Sequence, residues 1–389
     1  MTIPSLQTPP VHVNGSGSAV HSTRAVIDLA AFRHNVGVVR RRVGSGVKVM
    51  AVLKSNAYGH GVKPIAAEAQ RCGVEALAVA RVGEGFELRG EGVRTPILVC
   101  EIAPPDVLQR VIGEDLQLTV TSPASATAIS AAACRMGTPA RVHVKVDTGM
   151  GRLGVSHAEA GELIEAMLRL PRLELAGVYS HFATSENADR SYAREQLARF
   201  NRVLEELERR NVEVPLRHMA NTGAIFNLPE AHFDMVRPGI ALFGYTPAQA
   251  VEGGEELRPV MNLLSRVSHL KQVEKGTNVS YGRQHTTTRR TCIATVPIGY
   301  GDGYLRALTH KAEVLIRGTR YPSVGAISMD HLMVDVGEKS PVEVDDRVTL
   351  IGTDGAERIT CWELAEKLGT IPYEITCLIT PRVLRVFTG

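Results

Sequence analysis

The sequence predicts an α/β plus β protein, with an N-terminal (β/α)8 barrel followed by a mainly antiparallel β domain. Three observations set that class. Short apolar strands alternate with amphipathic helical stretches about eight times before residue 258, which argues for a parallel sheet with crossovers and suits a closed barrel of about 250 residues. Beyond residue 258 the rhythm changes to short runs of alternating apolar and polar residues between Gly, Pro and Asp turns, as antiparallel strands read. The length of 389 residues also exceeds one average domain of roughly 150.

In chain order, residues 1–22 read as a disordered leader without the basic end and apolar core of a signal peptide. RAVIDL (24–29) is strand-like and a helical stretch follows it. Val47, Val49, Met50, Ala51, Val52 and Leu53 make a buried strand, followed by a helix around 61–72 that Gly73 closes. ALAVA (76–80), TPILVC (95–100), LQLTV (116–120), ARVHVKVD (140–147), LELAGVYSH (173–181) and PLRHMAN (215–221) continue the series. The longest helix, about 189–211, carries Tyr192, Leu197, Phe200, Leu204 and Leu207 on one face. TPAQAVEGGEE, near 245–258, reads as a linker, so the barrel is assigned to 23–257 and the β domain to 258–389. Within the β domain only CWELAEKLG reads as a helix.

Composition narrows the function. Hydrophobic content of 44% and charged content of 22% are those of a soluble globular protein. A net charge of +3 with no basic stripe gives no support to nucleic-acid or membrane-surface binding. No apolar run reaches membrane-spanning length. Six scattered cysteines without a C-x-x-C pair fit reduced thiols in a cytoplasmic protein, and no metal site is expected.

The most informative stretch is VMAVLKSNAYGHG (49–61), where Lys54 arrives as the buried strand should end. Burying an ammonium costs several kcal/mol unless its pKa falls, and a lysine with a lowered pKa serves as a nucleophile or Schiff-base former. The alternative is a lysine whose ammonium snorkels from the sheet end into water. Barrel chemistry sits at the carboxyl ends of strands. There the sequence sets Lys54, Arg152, His181, Asn221, Thr222 and Arg237. A lone strand-end histidine is more often structural, but convergent polar groups at one mouth are harder to dismiss. Gly149 to Gly154 spells G-x-G-x-x-G after a strand, yet five βα units precede it and Glu174 begins a strand instead of ending one. A loop that aims Arg152 inward is the better reading.

AVLKSNAYGHG, KVDTGMGRLG (145–154), YSHFATSE (179–186), VRPGIALFGYTP (236–247), VSYG (279–282), IGYGDGY (298–304) and SMDHLMVDV (328–336) together resemble bacterial alanine racemases, which are fold-type III enzymes dependent on pyridoxal 5'-phosphate (PLP). The resemblance runs from about residue 24 to the C-terminus. It implies PLP held by Lys54 as a Schiff base, and a homodimer whose active sites are shared across the interface. Lys54 and Tyr281 of the partner subunit would be opposed bases interconverting L- and D-alanine, the latter for peptidoglycan. By the same resemblance Tyr58, Thr222, Gly239, Ile240 and Tyr373 match phosphate-binding positions, His181 and Asn221 join the cofactor site, and Arg237 faces the pyridine nitrogen. The resemblance further implies that Arg152 binds substrate, that Met329 and Asp330 belong to the strand by which the partner subunit approaches the substrate carboxylate, and that Tyr300 lines the entrance. Lys145 resembles a lysine that some members carbamylate to orient Arg152, and Gly301 departs from the alanine more common at its position. The resemblance also puts Tyr373 where it helps to keep the side-chain pocket small, which would favour alanine over bulkier substrates.

The rival readings are a racemase of broader specificity, acting on serine or basic amino acids, a non-catalytic PLP-binding barrel and a fold-type III decarboxylase. A stand-alone barrel carrier lacks the β domain that holds Tyr281, and decarboxylases of this type set an acid where Arg237 stands.

Overall fold

A computed structural model describes residues 22–247 and 256–389. Nearly all of the leader assigned to 1–22, and most of the linker near 245–258, lie outside the described residues. The chain divides into two compact units: Leu29–Val260, and Met261–Gly389 together with the segment that ends at Asp28.

The first ten strands are β1 (Arg24–Asp28), β2 (Lys48–Val52), β3 (Ala76–Val79), β4 (Ile97–Val99), β5 (Leu116–Val120), β6 (Ala140–Asp147), β7 (Val155–Ser156), β8 (Leu173–Tyr179), β9 (Arg217–His218) and β10 (Met235–Val236). In the first unit β2, β3, β4, β5, β6, β8, β9 and β10 pair in parallel, and the β5–β6 and β10–β2 pairings close them into an eight-stranded barrel. β3, β4 and β5 are buried at every position, as a sheet covered on both faces must be. Helices packed outside supply the cover. The helix Ser191–Arg209 buries Ala193, Gln196, Leu197, Phe200, Val203 and Leu207, and each large apolar side chain so buried contributes about 1.5–3 kcal/mol. Tyr192, expected on that face, is half exposed and donates its hydroxyl proton to the Gly149 carbonyl at 2.6 Å.

The strand–helix rhythm places RAVIDL at the head of the barrel. β1 instead pairs antiparallel with β11 (Met261–Arg266) and parallel with the C-terminal strand Leu384–Thr388. Its burial explains the difference: Ala25 and Ile27 are buried while Arg24, Val26 and Asp28 are not, the mark of a sheet with one covered face. The eighth barrel position belongs to β10, which at two residues is too short to announce itself by periodicity.

The second unit holds a mainly antiparallel sheet in which β1 and β11 lie beside Arg347–Asp354, Glu313–Ile316 and Thr319–Pro322. Pro322 sits in the edge strand, where a missing N–H costs no ladder bond. A three-stranded sheet and a short hairpin complete the unit. Its helices are Cys361–Leu368, as the sequence predicts, and Pro372–Leu378, which seven residues with Pro at the start did not reveal by periodicity.

Candidate active site

Lys54 lies two residues past the end of β2, where Leu53 donates its amide to the Ala78 carbonyl at 2.8 Å. The next four residues are unusual. Ser55, Asn56, Ala57 and Tyr58 have φ of 54°, 53°, 52° and 53°, a full left-handed turn without a glycine. Each such residue costs roughly 1–2 kcal/mol in an L-chain. The turn carries its own i to i+4 bonds, Ala57 N to Leu53 O and Gly59 N to Ser55 O, both at 2.9 Å. Tertiary bonds reinforce it: Ser55 N donates to Glu84 Oε1 at 2.6 Å and Val62 N to Asn56 Oδ1 at 2.7 Å. The effect is to swing the buried Tyr58 ring back towards Gly239, where a Cβ would stand 2.3 Å from the Tyr58 hydroxyl. Glycine at 239 follows from that approach.

Around the same point Thr222 accepts from the amides of Gly239 (3.2 Å) and Ala241 (3.4 Å). A hydroxyl that accepts twice keeps its proton to donate. Asn221 caps the short helix Thr222–Asn227 by accepting from Ala224 N at 3.1 Å, and Ser185 donates to it at 2.7 Å. Ile240 is buried and opens the 3-10 turn Ile240–Phe243. Tyr58, Asn221, Thr222, Gly239 and Ile240 therefore come together; the Gly239, Ala241 and Ala224 amides are engaged by Thr222 and Asn221, and it is the Thr222 hydroxyl proton that is left to donate to an anion.

Arg237 is buried, and both terminal nitrogens of its guanidinium are held by acceptors. Nη1 donates to His218 Nδ1 at 2.9 Å; Nη2 donates to the Ser180 carbonyl (2.6 Å), the Met219 carbonyl (3.2 Å) and His181 Nδ1 (3.2 Å). Burial lowers its pKa, but from so high a value that the guanidinium remains a cation. Burial, with the charges of Arg237, Lys145, Arg152 and Lys54, pushes His181 well below its ordinary value and keeps it neutral. Lys145 is buried with its ammonium 4.7 Å from the centre of the Tyr179 ring. Burial first, and Arg237 second, bring its pKa down to about 8.

Arg152 is exposed, and its charge acts on the buried His181, Lys145 and Tyr179. The glycine-rich loop that carries it is folded around Asp147, whose carboxylate accepts from the amides of Gly149 (2.8 Å), Met150 (2.9 Å) and Gly151 (3.0 Å). Those amides are taken up by a side chain of their own loop, which removes the remaining case for a dinucleotide cradle.

Tyr281, Tyr300, Met329, Asp330 and Tyr373 belong to the other unit. Tyr281 is 73% exposed, and Met329 and Tyr300 are also exposed. Their loops are tied together: Tyr300 N donates to Ser328 O (3.1 Å), Gly301 N to Met329 O (3.0 Å) and Ser280 Oγ to Ala326 O (2.6 Å). A Cβ at Gly301 would meet the flexible tip of Arg382, which pairs with Asp330 at 2.8 Å, and the Met329 carbonyl at 3.1 Å. Tyr373 is half-buried on the helix Pro372–Leu378.

A buried polar network inside the barrel escaped sequence reading. Gln117 and Thr119 on β5, His143 and Lys145 on β6, Tyr179 on β8 and His218 on β9 all contribute to it. The available signal was polar residues two apart within fully apolar strands, LQLTV and RVHVKV, since alternate residues share one face.

Comparison with known proteins places the whole chain. The family model "Alanine racemase, N-terminal domain" matches residues 27–247, and "Alanine racemase, C-terminal domain" matches 260–387. The chain is 43% identical over 369 residues to alanine racemase 2 of Caldanaerobacter subterraneus subsp. tengcongensis, covering 95% of each. It is 44% identical to the alanine racemase of Symbiobacterium thermophilum, covering 94% of this chain and 97% of that one. Among solved structures, the alanine racemase of Streptomyces coelicolor A3(2) superposes with a TM-score of 0.91 at 35% identity, over 96% of this chain and 100% of the other. The histidine racemase of Leuconostoc mesenteroides subsp. sake is similar too, with a TM-score of 0.87 at 28% identity over 95% of this chain and 98% of that one.

Proposed function

The chain belongs to the alanine racemase family and is an isomerase, and from that premise we propose how its residues divide the work of interconverting L- and D-alanine. The observation that carries the reading is the charge at the barrel mouth. The positive charges of Arg237, Lys145, Arg152 and Lys54 all bear on His181, while the nearby Asp147 carboxylate is spent on its own loop. Such a mouth fits an anionic cofactor and a substrate carboxylate.

PLP fits this donor set. Thr222, Gly239, Ile240 and Tyr58, with Tyr373, would take the phosphate; Lys54 would carry the aldehyde carbon; Arg237, His181 and Asn221 would flank the ring. Bound PLP supplies an electron sink that acidifies the substrate Cα–H. The chain's residues do the rest. Nζ of Lys54 takes or returns the Cα proton on one face, and the phenol oxygen of Tyr281, contributed by a second copy of the chain, does so on the other. Two bases on opposite faces are what inversion requires. Arg237 can only donate, so it leaves the ring nitrogen unprotonated and restrains side reactions. Arg152 would hold the substrate carboxylate, approached by Met329 and Asp330 of the second copy of the chain, with Tyr300 lining the entrance.

A homodimer with shared sites follows from giving Tyr281 of a second copy the role of the opposed base, and its exposed side chain is accessible for that role. The enzyme would work in the cytoplasm and supply D-alanine for peptidoglycan. No helix among the described residues is long and apolar enough to cross a membrane.

The test is interconversion of each alanine enantiomer by the wild type and by Tyr281→Ala. The wild type should equilibrate both, and Tyr281→Ala should lose at least ~100-fold, as expected on removing a general acid–base. Absence of interconversion, or release of carbon dioxide, would contradict the assignment.

A further inference from the structure

We propose that Gln117 and His143 are positioning residues for Arg237, acting through a one-way hydrogen-bond chain in the barrel interior that runs Arg237 to His218 to His143 to Gln117. The proposal rests on the reading above only in giving Arg237 a place at the cofactor ring; the chain itself stands on distances within the barrel.

Three links define it. Arg237 Nη1 meets His218 Nδ1 at 2.9 Å, His218 Nε2 meets His143 Nδ1 at 2.9 Å, and His143 Nε2 meets Gln117 Oε1 at 2.9 Å. All four side chains are buried. The direction of every link is forced. A guanidinium has no acceptor, so Nδ1 of His218 must be bare. Neutral His218 then carries its proton on Nε2 and donates it to His143, whose Nδ1 must be bare in turn. Neutral His143 therefore carries Nε2–H, and the Gln117 carbonyl oxygen receives it. The opposite tautomer at His218 would set N–H against N–H, and an imidazolium would add a further buried cation beside Arg237 and Lys145. Burial keeps both rings neutral, driving His143 down to about 3 and His218 well below its ordinary value.

The chain is also clamped from the side. Tyr179 stacks on His218 with centroids 4.9 Å apart and planes within 2°. Its hydroxyl meets Thr119 Oγ1 at 2.9 Å, and Thr119 donates to the Val99 carbonyl at 2.7 Å, so Tyr179 is the donor of that pair. Hydrogen bonds in series polarise one another: a ring that donates from Nε2 becomes a better acceptor at Nδ1. The carbonyl of Gln117 thus strengthens the grip on Arg237 three links away. It fixes the plane of a guanidinium whose task is to stay aimed and to withhold a proton. A loosened Arg237 would let water protonate the ring nitrogen. That diverts alanine and PLP to pyruvate and pyridoxamine phosphate, an exchange that balances without any further reactant.

The test is two-bond 1H–15N correlation on full-length protein labelled at histidine nitrogen, with and without PLP, with peaks assigned through His143→Gln. His143 and His218 should both be neutral Nε2–H tautomers. An Nδ1–H tautomer or an imidazolium at either one overturns the proposal, and this holds whether or not the protein racemises alanine. Gln117→Met, which removes the acceptor at nearly constant volume, should release the His143 tautomer. In the PLP-loaded enzyme it should raise pyruvate formed per racemisation roughly tenfold with KM for alanine within about twofold, the split expected when binding is untouched. Unchanged tautomers or an unchanged product ratio in that variant also overturn it. Wild-type tautomers as described, with no racemisation, would sink the functional reading alone.

Discussion

The ammonium of Lys145 stands 4.7 Å from the centre of the Tyr179 ring, buried in the barrel. No carboxylate ion pair to Lys145 occurs among the described residues. With its pKa brought down to about 8 by burial and by Arg237, Lys145 is partly neutral near pH 7, and the neutral fraction grows as pH rises through 8. A neutral amine attacks carbon dioxide and loses one proton to give a carbamate anion, which would suit the cluster of cations around it. We therefore expect a carbamate signal on Lys145 in 13C NMR under labelled bicarbonate, increasing between pH 7 and 8.5 and missing from Lys145→Ala. That variant should raise KM for alanine about tenfold through a poorly oriented Arg152. Absence of the signal across the range would remove the lysine from this role.

Gly239 is a sharper test of the cofactor wall. A Cβ there falls 2.3 Å from the Tyr58 hydroxyl. Gly239→Ala should weaken PLP binding by at least about tenfold, some 1.4 kcal/mol, read by titrating the cofactor-free protein with PLP. Tyr58→Phe in the same background removes the colliding oxygen and should restore part of the loss.

The left-handed turn after Lys54 predicts an inverted response to glycine. Ser55 is exposed with φ 54°. Ser55→Gly should raise stability by up to about 1 kcal/mol, whereas the β-branched Ser55→Val should lower it by more. Urea midpoints measure both. A loss of stability in Ser55→Gly would mean that the turn is not strained in solution.

How much of this was legible in sequence depended on length and on periodicity. β3, β5 and β6 are long enough, and apolar enough, to read directly. β10 is two residues, and its place in the barrel is fixed by pairing with β2 and β9, which no local pattern encodes. β1 read as a strand, but its sheet is decided by partners more than 200 residues away. At the site, Lys54, Arg237 and Thr222 could be found because each ends a strand or opens a turn. The left-handed turn could not, because Ser, Asn, Ala and Tyr carry no mark of positive φ in such a row. His143 and His218 were visible only as polar residues in apolar strands, and their tautomers follow from geometry alone.

The central claim is that Lys54 of one chain and Tyr281 of another serve the same site. Two purified variants, Lys54→Ala and Tyr281→Ala, should each be nearly inactive. Unfolded together and refolded at equal concentration, they should form hybrids in which one of the two sites has both native bases. Random pairing in a symmetric dimer then predicts recovery of about a quarter of wild-type activity. Activity no higher than that of the separate parents, with hybrids verified by mass, would contradict the shared site and with it the account of the reaction.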